Sequence, residues 1–194
     1  MGVVLSLLLF CMTGVVGTAL AEDAAGAKIE ALLPPNPGAE VCYARVYDAD
    51  HLKRHPKQRV TEMIFSLRYL TFEENEDGTP EEANYQYWFT LAAKLRGNPE
   101  MHYANGACGS SSGVIGCGVE CDGGGIELEP RADGDLLARL ERDGGEGFIR
   151  LTPGCGDEEG VTLEAGEDDK VFKLPKVPEA TCNAMQAEFA KRLE

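Results

Sequence analysis

The chain has 194 residues and a formal net charge of −15, with 33 Asp and Glu against 18 Lys and Arg. A surplus of this size repels nucleic-acid phosphates and anionic lipid, which argues against nucleic-acid binding and against adhesion to an anionic membrane. Hydrophobic residues make up 43 % of the chain, enough for a core of its own at this length.

Residues 1–21 carry no Asp, Glu, Lys, Arg or His, and they end in Ala19-Leu20-Ala21 directly before Glu22 and Asp23. An apolar run closed by an Ala-x-Ala site is the pattern of a secretory signal peptide. It predicts cleavage after Ala21 and a periplasmic or extracellular mature chain with no membrane attachment. The bulky Phe10 before Cys11 speaks against lipidation at that cysteine. Residues 22–40 are expected to form a flexible linker. Ala24, Ala25, Gly26 and Ala27 open it, and Pro34-Pro35-Asn36-Pro37-Gly38 closes it, where prolines forbid regular structure. Residues 41–194 are then one disulfide-bonded domain.

From Val41 onward an alternation of period two dominates. It is clearest where Tyr85, Tyr87, Phe89, Leu91, Ala93 and Leu95 interleave with Gln86, Trp88, Thr90, Ala92, Lys94 and Arg96. That pattern marks a strand with one buried face. Met63, Phe65, Leu67 and Tyr69 alternate likewise, as do Ile115, Cys117, Val119 and Cys121. The steps Asp77-Gly78, Asn105-Gly106, Asp122-Gly123, Asp133-Gly134 and Asp143-Gly144 offer the positive φ angles of tight hairpins. Strands are predicted over 41–48, 60–72, 85–96, 101–107, 114–121, 125–130, 135–142, 147–152, 160–164 and 170–174. Short strands joined by such turns predict an all-β fold, mainly an antiparallel meander closed as a barrel or stacked as a sandwich.

Two helices interrupt the pattern. A short one is predicted over 49–55, stopped by Pro56. A longer one starts at Pro178 and runs over 178–193, with Cys182, Met185, Phe189 and Leu193 at helical spacing on the face turned to the β body. Linker, meander and C-terminal helix together resemble the layout of lipocalin-like barrels, without their hallmark motifs. The resemblance implies an architecture and leaves function open.

Seven cysteines include Cys11 in the leader. The other six, Cys42, Cys108, Cys117, Cys121, Cys155 and Cys182, are an even set in an exported chain and predict three disulfides. A bond between Cys42 and Cys182 would tie the first strand to the last helix. Of the pairings left for the other four, Cys108–Cys117 with Cys121–Cys155 is favoured. Cys117 and Cys121 on one extended strand face are too far apart to bond each other. A metal site at Cys117 and Cys121 lacks a second pair at ligand spacing.

Few motifs carry chemistry. Gly109-Ser110-Ser111-Ser112-Gly113 matches G-x-S-x-G, but that pattern works at a strand-to-helix turn and here lies between strands. His51 and His55, four apart and near Asp48 and Asp50, are weak candidates for a Zn²⁺ or Cu²⁺ site that lacks a third ligand. His102 is expected to be an ordinary strand residue. Glu73, Asn75, Asp77 and Gly78 start like a calcium loop, but its twelfth position is Asn84 and its flanks are strands. A weaker calcium site there or at Asp157-Glu158-Glu159 competes with the plainer meaning of solvated loop tips. If the fold is a barrel, Tyr85, Tyr87 and Phe89 point inward, where they would either line a ligand cavity or pack the core. Trp88 has the opposite parity and belongs outside, under the terminal helix or on an exposed patch.

These features predict an exported, non-enzymatic binding module without a cofactor. Its partner would be a small apolar ligand or a protein, for example a basic secreted hydrolase that it inhibits. The alternative is a periplasmic metal-binding protein or hydrolase using His51 and His55 or scattered carboxylates. N-terminal sequencing of the protein from its native host is expected to begin at Glu22; a membrane-bound chain still starting at Met1 would refute the cleavage expectation.

Overall fold

The computed structural model describes residues 28–71, 73–79, 84–140, 147–152 and 160–193, with the side chain of Leu193 excepted. The expected leader, the Asp143-Gly144 step, Cys155 and Asp157-Glu158-Glu159 lie outside the described residues. In chain order the elements are α1 (Ile29–Leu32), β1 (Glu40–Val46), α2 (Ala49–Arg54), β2 (Val60–Leu70), β3 (Gln86–Leu95), β4 (Asn98–Ser111) and β5 (Val114–Gly118). They continue with β6 (Gly125–Pro130), β7 (Leu136–Arg139), β8 (Phe148–Leu151), β9 (Val161–Glu164), β10 (Val171–Leu174) and α3 (Glu179–Leu193).

Eight strands form one antiparallel sheet in the order β1-β2-β3-β4-β5-β6-β7-β10. The sheet curls until its two edges meet. Past β10, Tyr43 bridges Lys176, Ala44 N–H donates to Pro175 O at 3.0 Å, and Val177 N–H donates to Cys42 O at 3.0 Å. The result is a nearly closed barrel. Closure removes the unpaired edges that would otherwise template aggregation.

Alternation fills the inside. Met63, Phe65 and Leu67 of β2, Phe89 and Leu91 of β3, Ile115 of β5, Ile126 of β6, Leu136 of β7 and Phe172 of β10 share one buried core. The Phe65 and Phe89 rings stack with centroids 6.0 Å apart. Short segments cover both ends. At the end where β1 begins, Ile29 and Leu33 join the core, Ile29 N–H donates to Ser110 Oγ at 2.7 Å, and the Tyr87 hydroxyl donates to Leu33 O at 2.9 Å. At the opposite end the β8–β9 hairpin inserts Ile149, Leu151 and Leu163. Arg150 N–H donates to Gly123 O, and Arg59 Nη1 donates to Thr162 O. Asp169, buried there, accepts from Arg59 N–H at 2.7 Å. Burial raises its pKa, partly offset by the backbone donors of Arg59 and Val60.

The structure corrects several details. Residues 28–40 are not a free linker: Ile29–Leu32 form a helical turn, and Ile29 and Leu33 are buried. Asn105-Gly106 is not a turn but the middle of β4. Gly106 is required because a Cβ there would collide with the Gly118 carbonyl oxygen. The β4–β5 hairpin turns instead at Ser112 and Gly113, with φ of 50° and 81°. Cys121 is not on the face of β5. That strand ends at Gly118, and Cys121 sits in the following turn with φ of 56°.

Helix α3 lies across the outside of the barrel. Cys182, Met185 and Phe189 pack on Cys42, Ile64, Ala92 and Tyr103, and the Tyr103 and Phe189 rings stack at 5.2 Å. Cys182 is bonded to Cys42, and Cys108 is bonded to Cys117 across the directly paired positions of β4 and β5. Cys121 is disulfide-bonded as well. Cys155, its partner expected from the sequence, lies outside the described residues. Replacing Cys42 and Cys182 together by Ala removes a constraint over a sequence separation of 140. Loop-closure entropy puts the expected loss at roughly 5 kcal/mol, to be read from urea unfolding. Non-reducing peptide mapping of the wild type is expected to return Cys42–Cys182, Cys108–Cys117 and Cys121–Cys155.

Candidate functional site

Residues that face outward on adjacent strands line up in rows set by the register. One row is Glu40, Arg68, Trp88 and Ala107. The next is Cys42, Ser66, Thr90 and Asn105, and a third is Ala44, Ile64, Ala92 and Tyr103. The third row is apolar and takes Met185 and Phe189 of α3. The first two rows carry polar groups, and the helix covers them only in part. Between them and α3 lies a cleft of about 480 Å³. The sheet contributes Arg68, Trp88, Thr90 and Asn105, and the helix contributes Asn183, Gln186 and Phe189.

Beside this cleft a part-buried hydrogen-bond network ties the sheet to the helix. Ser66 and Thr90 are buried, at 0 % and 2 % exposure. The Ser66 hydroxyl donates to Glu40 Oε1 at 2.7 Å. Gln186 Nε2 lies 2.8 Å from that same oxygen and 2.8 Å from Ser66 Oγ. Buried polar groups persist only when paired in this way. The network therefore fixes the helix against the strands. Arg68 is different. Its Nε–H is buried and has no hydrogen-bond partner among the described residues. Burial lowers the pKa of its guanidinium, and the nearby Glu40 carboxylate pulls it back up.

The residues singled out in the sequence are not brought to one place. Phe89 lies in the barrel core, and Tyr87 is tied to Leu33 O under the N-terminal segment. Burial, with Glu30 and Tyr69 nearby, pushes the Tyr87 phenol up to about 12. Tyr85 stacks on Tyr69 at 5.5 Å. The three side chains thus pack or stack against other parts of the barrel. His51 and His55 are adjacent on α2, their rings stacked at 4.4 Å. Asp48 caps the helix by accepting His51 N–H at 2.7 Å, which lowers the Asp48 pKa. His51 Nε2 meets Gln58 Oε1 at 2.9 Å, and His55 Nδ1 lies 3.6 Å from Asp168. Among the described residues no three His, Cys, Asp or Glu side chains form a metal-holding group.

His102 Nε2 lies 2.9 Å from Asn98 Nδ2 on the same strand. Ser110 and Ser111 end β4 ahead of the hairpin turn, with Ser110 Oγ engaged by Ile29 N–H. Asp77 accepts from the Thr79 hydroxyl and from Thr79 N–H, which lowers its pKa and commits its carboxylate to the turn. Sequence reasoning passed over Arg68, Asn105, Asn183 and Gln186. For Arg68 the available signal was its outward parity on the predicted strand 60–72, opposite Met63, Phe65 and Leu67; Asn105, read as a turn residue, and Asn183 and Gln186 on the predicted helix carried no such strand signal.

No family model, curated protein or solved structure matches the chain. Fold and cleft define the class: a disulfide-bonded, nearly closed antiparallel barrel with a cleft on its outer wall lined by both polar and apolar side chains. Replacing His51 and His55 together by Ala is expected to change stability by no more than about 1 kcal/mol, as at surface sites. Stoichiometric zinc that survives dialysis of the wild type and is lost in the double variant would overturn that expectation.

Proposed function

We propose that the mature chain is an exported, non-enzymatic binding module that holds a small organic molecule in the cleft beside α3. One observation carries this reading: hydrogen-bonding side chains and the half-buried guanidinium of Arg68 surround an open volume on the outer wall, with Thr90 buried beneath it. Ser66 and Glu40 seat the helix through Gln186 and the third row seats it through apolar contacts, but among the described residues no hydrogen bond joins Arg68, Thr90 or Asn105 to α3. Of the two readings left open for the inward aromatics, the burial of Phe65, Phe89 and Phe172 in the barrel core supports packing, which favours the outer wall as the place for a ligand. Disulfides are compatible with an oxidising compartment, and the apolar leader with its Ala-x-Ala end supports export.

Native mass spectrometry of protein purified from its native compartment tests the proposal. The expected spectrum shows the polypeptide with one bound molecule of a few hundred daltons at most, released on denaturation. A co-purified basic protein would support the other partner class that the charge of −15 permits. A bare polypeptide mass in repeated preparations, with no small molecule shifting its thermal unfolding, would count against a binding role.

A further inference from the structure

We propose that the ligand of this cleft is a small organic monocarboxylate, its carboxylate held by Arg68 and its apolar or planar body lying along Trp88 and Phe189. This rests on the reading of the cleft as the binding site. Among the residues that line the cleft, Arg68 is the one that carries a charge. Its neighbour in the row, Glu40, does not close an ion pair with it within 4.0 Å among the described residues, and Glu40 Oε1 is engaged by Ser66 and Gln186. Arg68 makes no side-chain hydrogen bond or ion pair among the described residues; its Nε–H is buried, so the terminal nitrogens of the guanidinium are the donors left to meet an acceptor in the cleft. A carboxylate supplies acceptor oxygens and the opposite charge together, and it matches the planar fork of a guanidinium. Asn105, Asn183 and Thr90 provide neutral hydrogen-bonding groups for the remaining lone pairs.

Charge selects the class further. One guanidinium neutralises one negative charge. A phosphate dianion would leave a second charge beside Glu40, on a chain whose formal charge is already −15. The volume of about 480 Å³ lies within the range of small-molecule pockets. Trp88 and Phe189 supply apolar surface for a hydrocarbon or aromatic body, with Ala187 and Ala190 of α3 completing that side. The inferred ligand is therefore amphipathic, with one acid group and a compact apolar remainder.

Trp88 is the single tryptophan of the chain, so intrinsic tryptophan fluorescence reports from the cleft itself. The test titrates the disulfide-bonded protein with 3-phenylpropionate, with its neutral amide 3-phenylpropionamide, and with inorganic phosphate. The acid is expected to shift the emission saturably and to bind at least about tenfold more tightly than the amide, the scale of a charge-assisted hydrogen bond. Arg68→Gln is expected to bring acid and amide to equal affinity while the far-ultraviolet circular dichroism stays unchanged, and Arg68→Lys to restore part of the preference. Should Arg68→Gln not fold, the acid-against-amide ratio in the wild type still decides. Equal binding of acid and amide, or phosphate binding as tightly as the acid, would overturn the carboxylate assignment while leaving the cleft as a binding site. A ligand retained from the native compartment by the wild type and equally by Arg68→Gln would do the same. Failure of all three probes, together with a bare mass from native preparations, would remove both this inference and the binding reading beneath it.

Discussion

Cys42 is where the first strand, the seam of the barrel and the terminal helix are joined. Its carbonyl accepts Val177 N–H across the seam, and its sulfur is bonded to Cys182 on α3. Residues 175–177 therefore run antiparallel to β1 just before the helix starts, and five residues later the helix is covalently returned to the same strand. The angle of α3 on the wall follows from these two ties together with the packing of Met185 and Phe189. The cleft follows in turn, because it is the part of the outward rows that a helix so placed does not cover.

Much of this was legible from period and punctuation. The ten strands and the two longer helices lie where alternation, helical spacing and proline put them, since one face of every strand is buried and the side-chain period is two. The misplacements share a physical cause. A glycine can serve a positive φ or a close approach of backbone, and sequence does not separate the two uses. Gly106 admits the Gly118 carbonyl, whereas Gly113 makes the turn. Residues 22–40 read as a linker because their prolines are evident, while the burial of Ile29 and Leu33 depends on a barrel end formed by distant strands.

The site was less legible than the fold. Parity placed Phe89 inside and Trp88 outside, and the structure agrees. Arg68, Trp88 and Asn105 converge only through the register of β2, β3 and β4, and Asn183 joins them only once the helix is docked. Register is a non-local quantity. A shift of one residue would turn each of these side chains to the other face. The barrel layout left open whether the inward aromatics line a cavity or pack the core; Phe65, Phe89 and Phe172 are buried in that core, and short segments cover both ends.

The seam has a consequence for the order in which the molecule can assemble. Strand β1 is made early, yet the segment that completes its second edge, Lys176, and the cysteine that bonds it, Cys182, come at the other extreme of the chain. During vectorial emergence from N- to C-terminus, the meander from β1 to β7 can pair neighbour to neighbour while its outer edge stays unsatisfied. Cys108 and Cys117, separated by 9 residues, meet as soon as one hairpin forms. Throughout that interval Cys42 is an oxidisable thiol whose native partner has not yet emerged, and earlier cysteines are within reach. Long-range closure of this kind is slow and exposed to wrong pairing. The topology thus leaves Cys42 open to premature pairing until the last helix has been made.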